Sequence, residues 1–173
     1  MGGPAKDKKG RGFVKSANKS LIVGAVEILT YKTKDGNAQE KAGRIRLQKI
    51  HTASQKEIKS FLTNNVALGS KIKSDGWSGY SNDALNGYEH LRHIQQSPQQ
   101  ASELAPHIHR VFSNLQSWLT EIYHGVDPKY LQNYLDEFAF RFNRREYPMS
   151  AFRSILGIVT SKKHITLAEF KKP

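Results

Sequence analysis

The sequence predicts a mixed α/β fold, a sheet of mixed strand direction covered by helices, and three observations carry that prediction. In the first half, apolar residues come in short runs or alternate with polar ones, the period of β-strands. From Pro106 onward they recur three and four positions apart, the period of helices packed on a core. Finally, 173 residues at 38% hydrophobic content suit one core and not two.

Residues 1–18 are rich in Gly, Lys and Arg with almost no apolar residue, which predicts a flexible basic segment ahead of a domain spanning 19–160. The apolar run Ser20 to Leu29 and the alternating stretch Glu40 to Ile50 flank a polar turn containing Asp35-Gly36. They predict a hairpin, its first strand buried and its second nearer an edge, with Ile45 and Leu47 on one side and Arg44, Arg46 and Gln48 on the other. Ser54 with Glu57 three positions on predicts a capping box, and Ile58, Phe61 and Leu62 an apolar stripe ending before Gly69. Lys71 to Tyr80 predicts a short strand running into a Gly-rich turn; a short helix and a strand at His90 to Ile94 follow, then the polar linker Gln95 to Gln100.

Ile108, Val111, Phe112, Leu115, Leu119 and Ile122 fall on one face of the strongest predicted helix. Asp127-Pro128 predicts the N-cap and first turn of the next, with Leu131, Leu135, Phe138 and Phe142 as its stripe. A last helix is expected from Ser150, carrying Phe152, Ile155 and Leu156, before a basic tail at 161–173.

Lys plus Arg number 27 against 15 acidic residues, a formal net charge of +12. That excess favours a polyanionic partner, because each neutralised phosphate releases condensed counterions; a solubilising basic surface is the bland alternative. The absence of cysteine removes disulfides and thiolate metal sites and suits a reducing cytoplasm. No apolar run reaches membrane-spanning length, so no membrane partner is expected. Phosphate-binding loops, dinucleotide glycine fingerprints, nucleophile elbows and paired-His zinc motifs are all missing, which disfavours those enzyme classes.

Asp75 stands at the end of a predicted strand where Gly76 and Gly79 open the backbone, a position at which its carboxylate suits a hard divalent cation; an ordinary turn aspartate has the same appearance. Trp77 and Tyr80 suit base stacking, though packing under the turn is the preferred explanation. His109, Ser113 and Gln116 project from one flank of the long helix and Asn114 from the other. A helix flank beside a strand end suits a metal or phosphate contact, and a half-exposed histidine needs no such role. Glu137, Arg141 and Arg144 at i, i+4 and i+7 read either as a helix ion pair or as a guanidinium held ready for phosphate, with Arg145 and Arg153 nearby.

The stretches GGPAKDKKGRG, NKSLIVGAVE, KSDGWSGY, HRVFSNLQSWL and YHGVDPKYLQNYLDEFAFRFNRR, in that order, resemble the ISXO-type insertion-sequence transposases of the DDE superfamily. The resemblance implies a ribonuclease-H-like fold with a helical C-terminal half, two Mg2+ or Mn2+ ions, and cleavage and strand transfer at transposon ends. It implies DNA, both transposon ends and target, as partner in a prokaryotic cytoplasm, and further copies of the chain in a transposition complex. Asp75 matches the family's second acid. His109 or Asn114 matches the third position, helical geometry preferring His109; Gln116 stands where a lysine is typical; and Glu137, Arg141 and Arg144 match a characteristic Glu and two Arg. In relatives an acidic strand supplying the first catalytic Asp precedes the Gly-Gly that here follows Met1. The expectation is therefore a sheet lacking its central strand and a chain inactive by itself. Its alternative is a DNA-binding remnant without enzymatic activity. A housekeeping ribonuclease or resolvase of this fold would need three clustered acids, which the sequence does not display.

Overall fold

The computed structural model describes residues 20–75, 80, 85–93 and 105–161. The basic segments at the two ends, residues 76–79 with Trp77, and the linker at 95–100 lie outside the described residues. Strands β1 (Leu21–Lys32) and β2 (Ala38–Ile50) form an antiparallel hairpin, and helix α1 (Gln55–Asn65) follows. Strands β3 (Lys71–Asp75) and β4 (Glu89–His93) pair in parallel. Helix α2 (Pro106–Ser117) passes directly into a π-helical turn (Trp118–Ile122), and helices α3 (Leu131–Asn143) and α4 (Pro148–Ser161) complete the order. The mixed α/β class is as predicted. The single mixed sheet is corrected: among the described residues the strands form two separate two-stranded sheets. The short helix expected before β4 falls mainly outside the described residues, and 85–87 form a turn.

The hairpin is covered on both faces over its first half, which explains the unbroken apolar run of β1. Val23 and Ile50 join Ile58, Phe61 and Leu62 of α1 on one face. On the other, Ile45 and Leu47 meet Val111 and Leu115 of α2 and Leu131, Leu135 and Phe138 of α3. Gly24 permits the close approach of α2, since a Cβ there would stand 2.9 Å from Leu47 Cδ2 and 3.1 Å from the Phe112 ring. Burial of β1 stops at Val26; Ile28, Leu29 and Tyr31 are exposed, so the expectation of a wholly buried first strand holds only for its first half. The change coincides with a bulge, where Glu27 faces both Gly43 and Arg44 and its carboxylate accepts the Arg44 N–H at 3.0 Å.

Among the described residues β2 has a neighbouring strand on one side only, and α3 closes the other with side chains. Asn143 accepts from the Ile45 N–H at 2.7 Å through Oδ1 and donates to the Ile45 carbonyl at 3.1 Å through Nδ2. Gln132 accepts from the Lys49 N–H at 2.8 Å and donates to the Leu47 carbonyl at 3.4 Å. Arg145 stacks 4.1 Å from the Phe142 ring and donates to the carbonyls of Ala42 and Gly43 at the bulge. Edge groups that a strand would otherwise satisfy are thus paired.

Helix ends follow local chemistry, with two corrections. Ser54 caps α1 as predicted, accepting from the Glu57 N–H at 3.4 Å, while the Glu57 carboxylate reaches past it to the N–H groups of His51 and Thr52. Asp127 caps a turn, not α3: its carboxylate accepts from the Lys129 N–H at 2.8 Å, and the helix begins only at Leu131. Ile122, expected in the apolar stripe of α2, is 60% exposed. The π-helical turn rotates it outward; Thr120 Oγ1 bonds the carbonyls of Gln116 and Ser117 there, and Trp118 packs into a ring cluster with Tyr123, Tyr134 and Phe138.

Replacing Asn143 by Ala strips both partners from a part-buried stretch of β2. The expected loss is about 1 to 3 kcal/mol of unfolding free energy, read as a lower urea midpoint at unchanged m-value.

Candidate catalytic positions and nucleic-acid interface

Asp75 closes β3 as predicted, in register with His93 of β4, so the backbone places it at the end of the strand pair. Its carboxylate falls outside the described side chains, as do Gly76, Trp77 and Gly79. Just inside, Ser74 Oγ lies 2.7 Å from His90 Nε2. Tyr80 is half-buried and packs on the α1 cluster, which favours the packing explanation of that ring over base stacking.

Helix α2 sorts the candidates for the third position. Val111 and Leu115 point into the cluster shared with α3, while Ile108 and Phe112 reach Gly24 on β1. At about 100° per residue, His109, Ser113 and Gln116 lie on the flank beyond Phe112, away from α3. Asn114 lies on the opposite flank, beyond Val111, with His107, whose Nδ1 is buried without a hydrogen-bond partner. His109, Asn114 and Gln116 are all exposed. The fold thus separates His109 from Asn114, and a ligand reaching one flank of α2 does not reach the other. Among the described residues no three His, Asp or Glu side chains gather into a cation site.

The predicted Glu137, Arg141 and Arg144 row is divided. Arg141 is held by Glu137 at 2.7 Å through Nη2 and 3.0 Å through Nε, a two-point contact on the exposed surface of α3. Beside this pair lies an apolar cleft formed by Phe140 with Ala151, Ile155 and Ile158 of α4. Arg144 sits just past the last helical residue with φ −115°, so it departs from the i+7 direction and stacks 4.0 Å from the Phe140 ring. It turns instead into a second groove. Arg145, expected near the phosphate contacts, is committed to the carbonyls of β2.

That second groove, of about 700 Å3, runs along the outer edge of β2. Arg46, Lys49 and His51 line it from β2 and the residue after it, Lys129 from the turn before α3, and Arg144 from the end of α3. Sequence reasoning singled out only Arg144 among these. The usable signal was the cation-bearing polar side of β2, but no spacing links Arg46 to Lys129.

The Glu137–Arg141 contact is an exposed i, i+4 pair in the favourable order, so its contribution to stability is about 0.3 to 0.5 kcal/mol. Glu137→Gln is therefore expected to leave the urea midpoint almost unchanged; a loss above about 1 kcal/mol would show the pair to be structural.

Among the described residues no helix is long and apolar enough to cross a membrane. No curated protein and no solved structure matches the chain. The ISXO2-like transposase domain does match, over residues 2–143, from the glycine pair at the start through β3 and α2 to Asn143 at the end of α3. Covering most of the sequence, that match shows that the chain belongs to the ISXO2-like transposase family.

Proposed function

We propose that the chain is the strand-cleaving and strand-joining domain of a DDE-type transposase, built on a ribonuclease-H-like core and acting on transposon ends and target DNA. The family match across residues 2–143, with Asp75 falling at a strand end within it, is the observation that carries this reading. The topology is compatible. An antiparallel pair and a parallel pair both pack on α1, through Val23 of β1 and Ile72 of β3, and β1 and β3 each have one side without a partner strand among the described residues. A strand lying between them would give the order β2-β1-x-β3-β4, and the family's acidic strand is the natural candidate for that place.

Chemistry of this class uses two divalent cations, Mg2+ or Mn2+, to activate the attacking oxygen and stabilise the leaving one. The donors matched here do not fit such a pair. Asp75 is one hard oxygen donor, His109 offers an imidazole, which magnesium binds poorly, and no further acid joins them among the described residues. The polypeptide's own contribution is then to hold DNA. Glu137 keeps the Arg141 guanidinium oriented, and Arg144 presents a planar fork stacked on Phe140, both suited to phosphate oxygens.

The 173-residue polypeptide by itself is expected to give no strand-transfer product on a transposon end with Mg2+ or Mn2+. Robust product from it would overturn the inactivity. With the family's acidic strand added ahead of Gly2, activity should appear, and Asp75→Asn in that longer protein should reduce it about a hundredfold or more. If the longer protein also fails while binding DNA, the non-enzymatic DNA-binding reading is preferred.

A further inference from the structure

We infer that the groove along the outer edge of β2 is a track for the phosphate backbone of duplex DNA, gripped by Arg46, Lys49, Lys129 and Arg144. The inference rests on the DNA-acting reading of the family and assigns it a surface separate from Asp75 and the His109 flank.

Charge pairing is the first ground. Four cations elsewhere meet carboxylates: Lys41 with Glu146, Arg44 with Glu27, Lys71 with Glu89 and Arg141 with Glu137. In the groove, among the described residues, none of the four cations forms such a pair. The one carboxylate lining it, Asp136, accepts the Gln132 amide at 2.8 Å. Four like charges drawn from three separate segments repel one another, and the fold places them together with a single carboxylate and no ion pair among them; a polyanion supplies the balance.

Preorganisation is the second. Arg144 is stacked on Phe140, Lys49 Nζ donates to the Pro128 carbonyl at 2.7 Å, and Arg46 Nη1 donates to the Ile45 carbonyl at 3.2 Å. Side chains already fixed lose less freedom on binding. The third ground concerns the remaining donors. Three of the four amides that line the groove, Asn65, Gln132 and Asn143, donate to backbone carbonyls, which leaves the cations as its main donors toward phosphate oxygens.

The test uses the full chain and a random-sequence duplex of about 30 base pairs, followed by fluorescence anisotropy between about 50 and 200 mM salt. Arg46→Gln with Lys129→Gln, both exposed in the structure, should lower the slope of log K against log salt by about 1.8 and weaken binding roughly tenfold to a hundredfold near 0.1 M salt. Lys32→Gln with Lys34→Gln removes the same charge at the hairpin tip and should stay within about twofold of the parent. An unchanged slope in the groove variant, or equal losses in both variants, overturns the track while leaving DNA binding intact. Failure of the parent to bind any duplex overturns the DNA-acting reading together with it.

Discussion

An edge strand exposes an N–H and a carbonyl at every second residue, and the way β2 disposes of them governs the rest of this structure. Asn143 and Gln132 lie eleven positions apart on α3, about 16 Å along a helix. The residues they bond, Ile45 and Lys49, are about 13 Å apart along a strand, so two amides can hold helix and strand in one register. Arg145 continues the same line to the bulge. With α3 pinned there, Leu135 and Phe138 are set over Ile45 and Leu47, and α2 closes beside them through Leu115. Loss of the register would therefore disturb the whole second cluster and not one hydrogen bond alone.

The elements that periodicity controls were legible in the sequence. Alternation gave Ile45 and Leu47 their side of β2, the i, i+3, i+4 pattern gave α1 and α3 their buried faces, and β3 ends at Asp75. What escaped depends on packing between distant segments. Ile122 has the correct spacing for the core, but Trp118 competes for that space with Tyr123 and Tyr134 and the helix widens to admit it. Asp127 carries out the capping chemistry its residue type suggests, three residues too early, because the turn it stabilises is complete before α3 starts. Arg145 resembles a solvated cation in sequence and is a brace for β2 in the fold.

The candidate site divides in the same way. Its strand-end acid and its helix flank could be read from local pattern, and the opposite placement of His109 and Asn114 follows from helical geometry once Phe112 is seen to face β1. The groove could not be read, because Arg46, Lys129 and Arg144 share no period and meet only after α3 has docked. Composition alone hinted at it: a net charge of +12 has to emerge somewhere as a surface on which cations outnumber carboxylates.

The two surfaces lie on different sides of the hairpin. Asp75 belongs to β3, which shares the α1 cluster with β1, and His109 overhangs the side of α2 away from α3; the groove lies past β2, at the opposite edge. Whatever part of the binding energy collected there is the same before and during the chemical step sets occupancy of DNA and not rate. A chain whose catalytic acids are incomplete would on this reading keep the whole of that occupancy. On that proposal the grip on DNA and the chemistry at Asp75 are separable properties of one architecture.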